Sequence, residues 1–99
     1  LKIVVVKKGG QGAELFSNEE NIKIGAYKVN VVDPTGAGDV FGGAFISTLA
    51  QGGTLSDSLV NGSAMASFCV EGFGISCILN VSEEELEDRK SNLYSTLSS

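Results

Sequence analysis

At Gly36 the apolar pattern of this chain changes period, and no other feature limits the fold as much. Before Gly36 the apolar residues run together or alternate with polar ones: Ile3 to Val6, Ala13 to Phe16, then "IKIGAYKVNVV" over residues 22–32. A period of two is that of a strand with one buried face. Two hairpin connections fit between these runs, at residues 9–12 and 17–21. After Gly36 the spacing becomes helical, with Val40, Phe41, Ala44, Phe45, Thr48 and Leu49 on one face and Gly52-Gly53 as the stop. A second helix is predicted from Thr54 to Ser56 onward, turning Leu55, Leu59, Val60, Ala64, Phe68 and Cys69 inward and ending at Gly72 or Gly74. The third begins at Ser82, with Glu85 three residues on in capping-box spacing, and carries Leu86, Leu93 and Leu97 as its apolar stripe. Strands over 1–32 followed by three helices over 36–98 predict an α/β layered sandwich, helices covering a sheet.

Composition narrows the chemistry. With 99 residues, 42% of them apolar, the chain makes one ordinary domain at most. A net charge of -5 with only seven basic residues argues against nucleic acid as a partner, because phosphate backbones need a clustered basic face. No apolar run approaches a membrane span and no signal-peptide layout is present, so a cytoplasmic protein with no membrane partner is expected. The absence of histidine excludes a His-based triad and a Cys/His zinc site, and Cys69 and Cys77 are expected to be buried thiols. Leu1 opens directly on a strand-like run, so the chain is expected to be part of a longer protein, with part of the functional site elsewhere in it.

The junction between the two patterns, "VVDPTGAGDVFGGAF" over residues 31–45, carries the functional signal. The first N–H groups of a helix have no internal partners and sit at the positive end of its dipole, so Gly36, Ala37 and Gly38 offer backbone donors to an anion. Larger side chains would obstruct a phosphate there. Asp39 then stands where an anion would repel it, which suits a carboxylate that takes a proton from an attacking hydroxyl. Gly42 and Gly43 each cost about 1 kcal/mol relative to alanine in a helix, and predict another backbone packed against them. A plainer reading stays open: aspartate in a first helical turn is favourable through the dipole alone, and glycine-rich turns are common. The stretch is neither a P-loop, lacking GK[ST], nor a dinucleotide fingerprint, lacking G-x-G-x-x-G.

Residues 33–46, D-P-T-G-A-G-D-V-F-G-G-A-F-I, resemble the C-terminal signature of the ribokinase-like (PfkB) carbohydrate kinase family. "VVVKKGGQGA" is similar to that family's strand and G-x-x-G segment, with Gly9 and Gly12 as its glycines, and "GSAMASFCVEGFG" is similar to its helix and loop near the adenine. The resemblance implies a C-terminal nucleotide-binding and catalytic part of a ribokinase-like domain over 1–99, with the substrate-binding part outside this chain. It implies ATP- and Mg2+-dependent phosphorylation of a hydroxyl of a sugar or related small molecule, with Asp39 as base and Gly36, Ala37 and Gly38 as anion hole. It places Gly9, Gly12, Gly38, Asn61 and Gly74 near ATP, and Asp33 and Thr35 at a monovalent cation, potassium. Asp33-Pro34 as a simple turn, Thr35 as a helix cap and Asn61 as a surface residue are the plain alternatives. Lys7 stands where the family often has threonine.

The run Glu83-Glu84-Glu85-Glu87-Asp88 reads as the acidic first turns of a solvated helix rather than a magnesium site. A nucleoside acceptor, a homodimer of the full-length protein and a non-catalytic nucleotide-binding module are alternatives compatible with the same residues. Retention of Asp39 disfavours the last. An oxidoreductase domain is disfavoured by the missing fingerprint spacing and by the order of strands before helices.

Overall fold

A computed structural model describes residues 2–8, 11–30, 36–73 and 81–98, with residues 72 and 73 described by backbone alone. Three strands, β1 (Ile3–Lys7), β2 (Ala13–Ser17) and β3 (Asn21–Ile24), form an antiparallel sheet in the order β1-β2-β3. Both predicted hairpins are present. In the first, Lys8 N donates to Gly12 O at 2.7 Å. In the second, Ser17 N donates to Glu20 O at 3.0 Å while the Ser17 hydroxyl accepts from Glu20 N. The register sets Val5 opposite Leu15 and Lys7 opposite Ala13. It also sets Leu15 opposite Ile22 and Ala13 opposite Ile24.

Strand β3 stops at Ile24 and residues 25–30 form no strand, whereas the alternating pattern predicts extension to residue 32, whose last two positions lie outside the described residues. Its partner β2 begins at Ala13, opposite Ile24, so beyond that point the neighbouring chain has already turned away at Gly12. The next amide, Gly25 N, donates instead to Thr96 Oγ1 at 2.9 Å. Strand propensity cannot extend a ladder that has no partner. On the free edge of β3 the C-terminal segment pairs through Lys23 N to Ser98 O, 2.7 Å, and Ser98 N to Lys23 O, 2.9 Å.

Helices α1 (Ala37–Ala50), α2 (Leu55–Phe68) and α3 (Glu83–Tyr94) cover one sheet face. The core joins Ala13, Leu15, Ile22 and Ile24 from the sheet to Phe41, Phe45, Leu59, Val60, Ala64 and Leu93 from the helices. Val4, Val6 and Phe16 lie exposed on the opposite face. Thr54 caps α2 with a complete capping box, its side chain accepting from Asp57 N and its own N–H donating to the Asp57 carboxylate. Ser82 caps α3 by accepting from Glu85 N, but the Glu85 carboxylate accepts from the Ser82 hydroxyl, so only one half of a capping box forms. After Phe68 the chain widens into a π-helical turn, Cys69–Phe73. Cys69 is buried, and Cys77 lies outside the described residues. Among the described residues no helix is long and apolar enough to cross a membrane.

The close backbone contact predicted at Gly42 and Gly43 is not found there. Apart from their chain neighbours and the backbone of their own helix, no described atom comes within 4 Å of a Cβ built on either. The tight approach lies at Gly62, where a Cβ would stand 3.0 Å from Phe41 O and 3.1 Å from the Phe41 ring. It is Gly62 that lets α2 close on α1.

The Tyr94 hydroxyl donates to Asp57 Oδ1 at 2.6 Å and ties the end of α3 to the start of α2. That bond, followed by the one from Thr54 N, holds the Asp57 carboxyl below its ordinary value. Burial first, then the Asp57 carboxylate, pushes Tyr94 up to about 12. A tyrosine whose folded pKa lies above its unfolded one contributes stability below pH about 10 that is lost as pH rises toward 12, while the lowered Asp57 contributes above its unfolded pKa and loses it in acid. Tyr94→Phe is expected to remove the alkaline flank from a profile of melting temperature against pH in the full-length protein and to shrink the acid one, which Thr54 N still supports through Asp57. The loss at neutral pH is on the order of 1 kcal/mol or less, because the pair faces solvent.

Candidate functional site

The site is built where the first hairpin meets the start of α1. Gly36 is the N-cap residue, with φ 84° and ψ -8°, a left-handed conformation that favours glycine. No side chain caps this helix, in contrast to α2 and α3. The first intrahelical bond runs from Val40 N to Gly36 O at 3.0 Å, which leaves the N–H groups of Ala37, Gly38 and Asp39 ahead of the helical ladder. Gly38 and Asp39 are exposed.

Gly12 faces this helix start from the sheet. At φ 95° it takes a conformation L side chains rarely adopt, and a Cβ there would collide with Ile24 O and stand 2.9 Å from Gly25 C and Cα. The fold therefore requires this glycine irrespective of any ligand. Ala13 and Gly25 are small neighbours of the same hairpin, and the space they leave is a cavity of about 600 Å3. Gly12, Ala37 and Phe41 are among the residues that line it, with Tyr27, Ala66 and Val70 among its apolar walls. Ser63, Ser67, Lys7 and Lys28 supply its polar groups. An apolar slot of this size, with basic side chains and a helix N-terminus on its border, suits a ligand with a flat apolar body and an anionic tail.

Lys7 is an exposed cation that the structure places beside the helix start. It follows Ile3 and Val5 at strand spacing and shares their helix-facing side of the sheet. Its ammonium lies 4.7 Å from the centroid of the Phe41 ring, and a Cβ on Gly38 would stand 3.4 Å from Nζ. A cation over an aromatic face at an exposed site gains about 0.5–1 kcal/mol. The ring thus holds the ammonium beside the α1 amides.

A second arrangement shapes the back of the cavity. The Arg89 guanidinium lies 3.6 Å from the Phe68 ring centroid and 4.3 Å from that of Tyr27. It also pairs with Glu71 Oε1 at 2.5 Å and donates to Ser67 Oγ at 3.0 Å. Tyr27 and Ser67 both line the cavity, so a residue of α3 fixes two of its walls. Nothing in the chemistry of the local sequence singles out Arg89. Its one signal is position, three residues after Leu86 and four before Leu93 on the inward stripe.

The predicted site residues divide. Gly12 and Ala37 both line the cavity, and Gly36, Gly38 and Asp39 adjoin Ala37 at the start of α1. Asn61 does not line the cavity; its Nδ2 donates to Thr48 Oγ1 at 3.0 Å and joins α2 to α1. Gly9, Asp33, Thr35 and Gly74 lie outside the described residues. Among the described residues no group of three or more His, Cys, Asp or Glu side chains is arranged to hold a metal ion.

With this geometry in place, the chain superposes on 30% of an Escherichia coli chain called Ribokinase II, solved in complex with ATP and Mg2+. That match covers 93% of the present chain, with a TM-score of 0.78 and 35% identity. The fold is ribokinase-like, an α/β arrangement present here as a part of the full unit. The sequence pattern of the pfkB family carbohydrate kinases matches residues 1–80, and the chain belongs to that family. Among curated relatives, it is 38% identical over 72 residues to a nucleoside kinase of Methanocaldococcus jannaschii, covering 72% of this chain and 24% of that protein. It is 35% identical over 85 residues to a ribokinase of Staphylococcus aureus, covering 85% of this chain and 28% of that protein. The chain thus spans about a quarter of the length of these relatives.

Proposed function

We propose that the full-length protein containing this chain is an ATP-dependent kinase that phosphorylates a hydroxyl of a sugar or related small molecule. The observation that carries the reading is the joining of an apolar cavity to a helix N-terminus without a side-chain cap, inside a chain of the pfkB family. The E. coli neighbour in complex with ATP and Mg2+ supports the choice of nucleotide. ATP supplies the phosphoryl group. The walls near Tyr27 and Ala66 would receive the base, and Gly12 lies at the passage toward the phosphates.

Asp39 is assigned as the base. As the acceptor oxygen bonds to the terminal phosphorus, the bond from that phosphorus to its bridging oxygen breaks, its electron pair leaves with ADP, and the hydroxyl proton passes to the Asp39 carboxylate. The amides of Ala37 and Gly38, with Gly36 making the turn that presents them, stabilise the charge spread over the equatorial oxygens. Mg2+ needs no protein cage for this task, since phosphates and waters supply most of its ligands. The absence of a carboxylate cluster among the described residues is compatible with that mode of binding. The assignment of potassium to Asp33 and Thr35, and of ATP contacts to Gly9 and Gly74, rests on the family resemblance alone.

The acceptor divides the reading in two. A nucleoside is the second candidate, supported by the similarity to the archaeal nucleoside kinase. Incubating the full-length protein with ATP, Mg2+ and a panel of sugars, sugar phosphates and nucleosides is expected to release ADP with one class of acceptor. ATP binding without ADP release across the whole panel would overturn the kinase reading in favour of a nucleotide-binding module.

A further inference from the structure

We propose that Arg89 is a positioning residue of the nucleotide site, a side chain of α3 that holds the Tyr27 ring in place as the surface on which the base of the nucleotide stacks. The proposal rests on the kinase reading above and adds to it a residue that acts through the cavity wall.

Three observations carry it. First, the backbone does little to fix Tyr27. Residues 25–30 form no strand, and after Gly25 N, which donates to Thr96 Oγ1, no backbone hydrogen bond between described residues is made by residues 26–30. Tyr27 nevertheless lines the cavity. A ring on such a segment has to be ordered when a ligand arrives unless another group has ordered it already. Second, Arg89 supplies that group. Its guanidinium lies over the Tyr27 ring, 4.3 Å from the centroid, and over the Phe68 ring, 3.6 Å from the centroid, with its side chain only 13% exposed. Third, the guanidinium is itself fixed, since Nη1 pairs with Glu71 and donates to Ser67 Oγ. The Ser67 hydroxyl in turn gives its proton to Ala64 O at 2.6 Å, so Ser67 is committed to anchoring Arg89 on α2. Glu71 lies in the π-helical turn, one residue beyond Val70, another lining residue. One side chain therefore connects the segment after β3, the end of α2 and the turn that follows it.

Stability alone does not account for an arginine here. Exchanging a largely desolvated ion pair for apolar side chains is often neutral, and the same stripe of α3 already carries Leu86 and Leu93. What a leucine would lack is the plane. A guanidinium stacks flat on an aromatic face and keeps its hydrogen bonds at the edge. Arg89 takes one face of Tyr27 while the ring still borders the cavity, so a flat heteroaromatic base can stack on what Arg89 leaves open. Such preorganisation acts on binding. Asp39 and the amides of Ala37 and Gly38, assigned to the transfer, belong to another helix.

The test uses the full-length protein. Calorimetric affinity and stoichiometry for ATP and ADP are measured in the wild type and in Arg89→Met, which keeps an unbranched stem beside Phe68 and removes the plane and the charge. ATP binding is expected to weaken about 5- to 50-fold, within the range of one lost base stack, and ADP by the same factor because the two share the base. The single-turnover rate at saturating ATP is expected to stay that of the wild type, the mark of an interaction made equally before and during the transfer. In a Tyr27→Ala background, Arg89→Met is expected to weaken ATP no further, because the residue acts through that ring. Arg89→Lys, which keeps the charge and lacks the plane, carries the same comparison should the methionine variant misfold. Wild-type affinity in the variant, with only a lowered melting temperature or fewer binding sites, would make Arg89 a structural residue and overturn the proposal, with the kinase reading left standing. A larger loss for ATP than for ADP, or full additivity with Tyr27→Ala, would overturn it as well. A wild type that binds no ATP would overturn the kinase reading, and this proposal with it.

Discussion

Asp39→Asn is expected to lower phosphoryl transfer in the full-length protein by about 10²–10⁴-fold, the usual size of a lost general base. Asparagine preserves shape and hydrogen-bonding reach but cannot take the hydroxyl proton. The structure makes this substitution a clean one. Asp39 is exposed in the first turn of α1, and no ion pair or side-chain hydrogen bond holds it among the described residues. Its structural contribution is therefore the dipole interaction, about 0.3–1 kcal/mol. The variant should keep its fold and bind ATP at least as tightly as the wild type, because a charge that repels the phosphates is gone. The measurement is single-turnover transfer with thermal unfolding as control. An unchanged rate with a lowered melting temperature would return Asp39 to the plainer role of favourable charge at a helix start.

Gly38→Val should abolish most nucleotide binding without unfolding the protein. Gly38 is not among the glycines with positive φ, so a branched residue meets no backbone strain. Its Cβ would rest 3.4 Å from Lys7 Nζ, an ordinary contact, and within a helix valine costs less than glycine. The two methyl groups beyond Cβ would occupy the space in front of the amides. A loss on the order of 10²-fold in ATP affinity is expected, comparable to removing a preorganised donor. Gly38→Ala, which adds the Cβ alone, should lie between the two. Titration of ATP by calorimetry distinguishes these cases, and undiminished affinity in the valine variant would remove Gly38 from the anion hole. Gly12 is the instructive contrast. Its positive φ and the collision with Ile24 O mean that Gly12→Ala would damage the hairpin itself, so loss of binding there would say nothing about phosphate.

Much of the chain was legible because it is governed by neighbours in sequence. Hairpins at 9–12 and 17–21, the stop after α1, the start of α2 near Thr54, the cap at Ser82, and the inward residues Leu59, Val60, Ala64 and Phe68 all follow from local turn chemistry and period. The glycine-rich start of α1 belongs with them, since a few consecutive residues suffice to make a helix N-terminus whose first amides have no partner within the helix. Its family signature is equally local, which is why the kinship could be read from residues 33–46.

What the sequence could not decide depends on residues far apart in the chain. Residues 26–30 alternate as a strand should, yet β2 has no residue left to pair with them beyond Ala13. Gly42 and Gly43 look like a helix contact, whereas the backbone approach is made by Gly62 against Phe41, because the crossing point of two helices is set by how both pack on the sheet. Asn61 could be placed near a ligand by its neighbourhood in sequence, but Thr48 takes its amide. Arg89 becomes a wall of the cavity only when α3 folds back over Tyr27 and Phe68. The side of the sheet on which Lys7 falls is implied by its spacing from Ile3 and Val5, but its company there is not. Phe41 and Gly38 lie more than thirty positions away along the chain, and only closure of α1 onto the hairpin brings a cation, an aromatic face and a row of backbone donors to one place.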